Sequence, residues 1–223
     1  MFLMFKQSLR QILFISALLC PLLSSAASYV ENFQDGMADN WEPQQPEQWE
    51  IYGSKNLTYR AQDIDNDSVM ISTYAGAEYQ DVDYRVSIKK DNGYAVYAIF
   101  RASADFYSKD GINKGSGYAF GISNDCGSGL PPSYSIYKLT DGVYQNIQLW
   151  TTAKLLHCDV QGNRVGIIAK GRLLKFYINN KLVFRYRDKN PLGAGRVGLM
   201  GYTAQLFATT HDFDNIYIRD LAN

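Results

Sequence analysis

The chain has 223 residues, with 22 basic and 22 acidic side chains and a formal net charge of zero. That balance excludes the electrostatic footprint of a protein built to grip nucleic acid or anionic lipid. The length suits one large β domain with a proper core.

The first 27 residues read as an export leader. Lys6 and Arg10 precede an apolar run from Ile12 to Leu19, and Ser24-Ser25-Ala26-Ala27 offers a small-residue cleavage site. The run is too short to span a bilayer, which needs ~20 residues. Cleavage is expected after Ala27, with Ala26 as the alternative. The mature protein is then a single domain over residues 28–223, secreted or periplasmic, with no membrane insertion. It carries 20 basic side chains against 22 acidic ones. Only Cys126 and Cys158 remain in it, and two cysteines in an exported chain are expected to pair.

Beyond the leader the apolar pattern has period two, the signature of half-buried strands. Short strands are expected at Trp49–Tyr52, Leu57–Ala61 and Ser68–Tyr74. Val82–Ile88 alternates cleanly, and Asp91-Asn92-Gly93 reads as a turn into Gly93–Arg101. Further strands are expected at Gly117–Ser123, Ser133–Leu139, Asn163–Lys170, Leu173–Ile178, Leu182–Arg187, Gly195–Tyr202 and Phe213–Arg219. Between Leu173–Ile178 and Leu182–Arg187, Asn179-Asn180 stands where a two-residue hairpin needs positive φ. About a dozen such strands imply an all-β fold of two antiparallel sheets packed as a sandwich. The irregular stretches are Gln34–Gln48, Ser103–Ser116 and Asp125–Pro132.

Several phrases resemble the concanavalin A-like lectin/glucanase superfamily, in its laminin-G-like and keto-disaccharide-hydrolase-like branches. They are the hairpin Leu174-Lys175-Phe176-Tyr177-Ile178-Asn179-Asn180-Lys181-Leu182-Val183, then Gly195-Arg196-Val197-Gly198-Leu199, then Phe213-Asp214-Asn215-Ile216. Upstream, Ile99-Phe100-Arg101-Ala102, Gly117-Tyr118-Ala119-Phe120 and Phe33-Gln34-Asp35-Gly36 with Trp41 fit the same order. The resemblance implies a jelly roll whose curved, concave sheet binds glycans. It also implies a structural calcium between the chain ends, for which Asp35 and Asp214 are the candidates.

A binding site is easier to assemble from these residues than a catalytic one. Tyr97 and Arg101 lie four apart on one strand and so share a face. With Tyr107, Tyr118, Tyr137 and Trp150 they form the expected ligand-binding set: rings to stack on sugar C–H patches and a guanidinium to meet hydroxyls. Tyr134 and Tyr202 are further ring candidates. The paired carboxyls of a glycosidase are not evident. In Glu78-Tyr79-Gln80-Asp81-Val82-Asp83, Gln80 occupies an acid position, and Asp81 and Asp83 read as a solvated face. A lyase set of Arg101 with Tyr97, Tyr118 or His157 lacks the expected strand signature. Asp63-Ile64-Asp65-Asn66-Asp67 imitates a calcium loop but has Ser68 where glycine is needed. The expectation is an exported, non-catalytic carbohydrate-binding sandwich with a polysaccharide or glycan partner. A hydrolase or lyase using the same face, or a cell-surface adhesion module, are the alternatives.

Overall fold

The computed structural model describes residues 28–63, 69–90, 95–107, 113–123, 129–158, 162–203 and 209–222. The leader, Cys126, the 91–93 turn and most of the 63–67 loop lie outside them.

The strands run in chain order as β1 (Ser28–Glu31), β2 (Trp41–Pro43), β3 (Trp49–Tyr52), β4 (Thr58–Gln62), β5 (Val69–Tyr74), β6 (Val82–Lys90), β7 (Ala95–Ala102) and β8 (Gly117–Ser123). They continue as β9 (Ser133–Thr140), β10 (Val143–Thr152), β11 (Asn163–Lys170), β12 (Leu173–Ile178), β13 (Lys181–Arg187), β14 (Arg196–Tyr202) and β15 (Thr210–Asp220). One 3-10 turn, Pro46–Gln48, precedes β3.

Two antiparallel sheets result. The eight-stranded sheet has the order β13-β12-β11-β6-β15-β4-β3, with β1 added on β15; the seven-stranded sheet has the order β10-β9-β8-β7-β14-β5-β2. Chain neighbours often sit apart, as in β6 between β11 and β15. Two packed antiparallel sheets with such crossings make a jelly-roll sandwich, the all-β fold that the sequence pattern implies.

Period two explains the layering. Val82, Tyr84, Val86 and Ile88 of β6 face inward, and Leu174, Phe176 and Ile178 of β12 join the same core. From the facing sheet come Val96, Ala98, Phe100, Phe120 and Leu199. Burying one ring such as Phe176 is worth about 2–3 kcal/mol. Every residue of β7 is buried. Its second face lies under another apolar cluster that contains Ile71, Tyr97, Ile99, Tyr137 and Met200, so the strand reads as apolar on both sides.

The β12–β13 hairpin forms as its Asn-Asn pair implies. Asn179 and Asn180 have φ of 48° and 63°, and Ile178 pairs with Lys181 across the two-residue loop. Three strands are not evident from the pattern: β1, β2 and β10. The last has a mostly exposed edge sequence and two register irregularities, at Asn146/Gln148 and Gln148/Thr151. These interrupt its alternation.

Candidate functional site

Four of the six expected ligand residues gather on the outer face of the seven-stranded sheet. Tyr97 meets Tyr137 edge-on at 5.6 Å and Trp150 at 6.3 Å. Tyr107 packs against the same cluster, and Tyr144 of β10 joins through Tyr137 at 5.0 Å. Tyr97 and Tyr137 are covered by neighbouring rings, while Trp150 and Tyr144 stay exposed. Tyr97 is 7 % exposed and Tyr137 4 %, while Trp150 keeps 37 %. The ring of Tyr97 lies on Gly121, where an added Cβ would stand 2.2 Å from its Cε1. Tyr134 points into the inter-sheet core.

Arg101 and Tyr118 do not belong to that face, which corrects the expectation that Arg101 shares it with Tyr97. Between Ile99↔Gly198 and Ala102↔Arg196, β7 carries one residue more than β14. This is a β-bulge, with Arg101 at φ 47°. The extra residue shifts the alternation, so Arg101 follows Phe100 inward and Ala102 takes the outer face. The Arg101 side chain is 0 % exposed. Its Nε donates to Gln80 O at 2.6 Å, Nη2 to Gly171 O at 2.9 Å and Nη1 to Leu192 O at 3.4 Å. Asp81 Oδ1 lies 3.5 Å from Nη2 and accepts the Gly171 N–H at 2.7 Å.

Tyr118 is buried beside it, stacked on Phe100 at 4.9 Å. Its hydroxyl donates to Asp188 Oδ2 at 2.6 Å, and Lys138 Nζ donates to the same oxygen at 2.9 Å. Burial pushes the Asp188 carboxyl up, but the hydrogen bonds from Tyr118 and Lys138 outweigh it and hold the group below its ordinary value. The cluster clamps the ends of β7, β8 and β9 to the loops of the other sheet. Asp83 is likewise no solvated residue: it is buried, with Arg85 Nε at 2.8 Å and Arg219 at 3.5 Å.

A groove of about 630 Å³ opens on the outer face of the eight-stranded sheet. Its floor follows from register. One cross-strand row reads Glu50–Arg60–Asp212–Lys89 and the next Arg164–Ser87–Asp214. Arg60 and Asp212 form a two-pronged pair, Nε–Oδ1 at 2.6 Å and Nη2–Oδ2 at 3.0 Å. The Arg60 guanidinium lies 3.2 Å over the ring of Tyr52, a cation–π contact that fixes its plane. The hydrogen bond to Asp212 raises the Arg60 pKa, so its charge is permanent.

The far wall is built by the hairpin turn. Asn179 Oδ1 accepts the Arg164 N–H at 2.8 Å and its Nδ2 donates to Leu155 O at 2.7 Å. Buried Asn163 brackets His157, accepting its N–H at 2.8 Å and donating to its carbonyl at 2.9 Å. His157, a lyase candidate with Arg101, thus stands by Arg164 instead.

Asp214 lines the groove. At the bulge between Asp214 and Tyr217, its carboxylate accepts the Asn215 N–H at 2.6 Å and Asn215 Nδ2 at 2.8 Å. Burial raises its pKa, with Glu31 adding to the rise. Asp35 Oδ1 accepts the Met37 N–H at 3.0 Å in a local turn. Among the described residues, no three His, Cys, Asp or Glu side chains gather as a metal site. Asp35 and Asp214, the calcium candidates that the resemblance implies, are each hydrogen-bonded within their own turn or bulge. Cys158 is exposed and disulfide-bonded; its expected partner, Cys126, lies outside the described residues.

The groove residues were missed because a last strand begun at Phe213 hides that Asp212 and Asp214 share a face. The available signal was the polar alternation Asp212, Asp214 opposite His211, Phe213.

No protein-family model and no curated protein sequence matches the chain. Solved structures do share its fold. The carbohydrate-binding module CBM66 from Bacillus subtilis superposes with a TM-score of 0.58 at 19 % identity, covering 81 % of this chain and 96 % of its own. A Bacillus subtilis protein of unknown function with a galectin-like fold gives 0.62 at 12 %, covering 86 % and 94 %. The Bacillus licheniformis β-glucanase gives 0.59 at 10 %, covering 86 % and 97 %. What this chain shares with them is the fold, a two-sheet antiparallel jelly roll.

Proposed function

We propose that the mature chain, starting at Ser28 after removal of the leader, is an exported carbohydrate-binding jelly roll. It holds a saccharide in the groove of the eight-stranded sheet without cleaving it. The observation that carries this reading is the Arg60–Asp212 pair on Tyr52. It is a planar, rigid array of donors and acceptors on the floor of a groove large enough for a few sugar rings, the arrangement that hydroxyl recognition requires. The fold shared with a carbohydrate-binding module and a β-glucanase supports it. Asp212 accepts two N–H bonds from Arg60, so it serves as a fixed anchor rather than as a free base.

Calorimetric titration of the mature protein with a panel of oligosaccharides tests the proposal. Arg60→Met should weaken binding at least tenfold; because the pair is mostly buried, with side chains 16 % and 13 % exposed, the variant also loses about 1–3 kcal/mol of stability, and binding is read below its melting transition. Unchanged binding in Arg60→Met, with loss in Trp150→Ala, would move the site to the other sheet.

One observation favours a second reading, a glycoside hydrolase. Asp212 and Asp214 are two apart on one strand face, their Cα atoms ~7 Å apart by strand rise, and both line the groove, as the two carboxyls of a glycosidase must flank one bond. Burial raises the Asp214 carboxyl as a general acid needs. Release of reducing ends from a polysaccharide, abolished by Asp214→Asn, would establish it.

A further inference from the structure

We propose that the groove selects an acidic saccharide, one whose ring carries a carboxylate or a sulfate; this rests on reading the groove as a sugar site. Its charge is uneven. Arg60, Lys89 and Arg164 line it with Asp212 and Asp214; Glu50 ends the Arg60 row at β3, on the side away from Lys89 and Arg164, so the positive end lies at β6 and β11. Arg60 and Asp212 satisfy each other. Lys89 and Arg164 are the cations left over.

Among the described residues neither has a side-chain acceptor. Arg164 donates its backbone N–H to Asn179 Oδ1. Arg164 is also half-buried, and a partly desolvated guanidinium gains most from an anionic acceptor. The spacing fits one. Arg164 pairs across the sheet with Ser87, and Lys89 follows Ser87 by two residues on the same face. Strand geometry places Lys89 and Arg164 about 5–8 Å from the patch above Ser87. Ser87 is the small residue of its row, so the hollow lies there, between two cations.

Asp214 flanks the same hollow from the other side, as the partner of Ser87 across β6 and β15. Its carboxylate would repel an anion placed beside it but would accept hydrogen bonds from ring hydroxyls. The polar groups therefore sort into an anion end, Arg164 and Lys89, and a hydroxyl end, Asp214 and Asn215, with Arg60–Asp212 beyond. A uronic acid or sulfated sugar presents that division: one anionic substituent and several hydroxyls on one ring. A neutral sugar leaves Arg164 without an acceptor.

The test is calorimetric titration of the mature protein with three matched oligosaccharides: an oligoglucan, its oligoglucuronate and a sulfated oligoglucan. Each is run at low salt and at physiological salt. One or both acidic ligands should bind at least tenfold more tightly than the neutral one at low salt, with the advantage shrinking as salt screens it. Arg164→Gln and Lys89→Gln should each bring the acidic-to-neutral affinity ratio towards one, with melting temperature unmoved as a check on folding. Preference for either anion supports the proposal, and the sulfate and uronate arms say which it is. Equal affinity for acidic and neutral ligands, with both lost in Arg60→Met, overturns it and leaves the sugar site standing. Binding that ignores Arg60→Met, Arg164→Gln and Lys89→Gln alike overturns both readings.

Discussion

Replacing Arg101 separates a structural guanidinium from a ligand-binding one. Arg101→Met keeps much of the side-chain volume and the same left-handed backbone cost, so the comparison isolates the charged head. The change strips hydrogen bonds from Gln80 O and Gly171 O, loosens Leu192 O and leaves Asp81 without its cation. Removing one partner from a buried ionic cluster costs about 3–5 kcal/mol, because the groups left behind stay desolvated. For a domain of this size, 1 kcal/mol is about 2–4 °C. The melting temperature should therefore fall by roughly 6–20 °C. Urea unfolding followed by circular dichroism and tryptophan fluorescence reads the free energy, and saccharide titration below the transition reads the groove. Binding should persist in the folded variant, since the groove lies on the outer face of the opposite sheet. A stability loss under ~1 kcal/mol, with saccharide binding abolished, would return Arg101 to the ligand site and refute the clamp.

Three further outcomes are expected. His211 is fully buried, with both ring nitrogens unpartnered among the described residues; burial lowers its pKa from 6.5 to about 3, with Lys90 adding to the shift. The unfolded chain binds the proton first, so stability falls as pH drops through that window, by up to roughly 4–5 kcal/mol. Urea unfolding at pH 7, 5 and 4 should show a shallower acid loss in His211→Leu; parallel profiles would mean that folding leaves the His211 pKa unshifted. Gly121→Ala drives a methyl into the Tyr97 ring and should cost about 1–3 kcal/mol, read as a lower urea midpoint; an unchanged midpoint would show that the ring moves freely. Cys126 and Cys158, proposed to pair, should resist alkylation until reduced, and reduction should remove about 3–4 kcal/mol of stability. A native protein that alkylates at both sulfurs refutes the bridge.

The two-sheet architecture was legible because strand alternation is local. A residue's face depends on its neighbours two away, so Val82–Ile88 and Leu174–Ile178 declare an inner side without reference to any partner. The Asn179-Asn180 turn is equally local: two residues must take positive φ, and asparagine does so at low cost. The edge strand β10 escaped the same reading because its exposed sequence and two irregularities break the alternation.

The site was not legible, for two physical reasons. The bulge at Phe100–Arg101 is set where β7 meets β14, and one inserted residue moves Arg101 from the outer face of the sheet to the interior. Arg60, Ser87, Arg164 and Asp212 come from four strands that are remote in sequence, and only the β11-β6-β15-β4 order places them side by side. The sequence by itself determined the inner and outer sides of the regularly alternating strands and the place of the Asn179-Asn180 turn. The tertiary structure decided which face each charge occupies and which charge it meets, because register belongs to pairs of strands and not to either one.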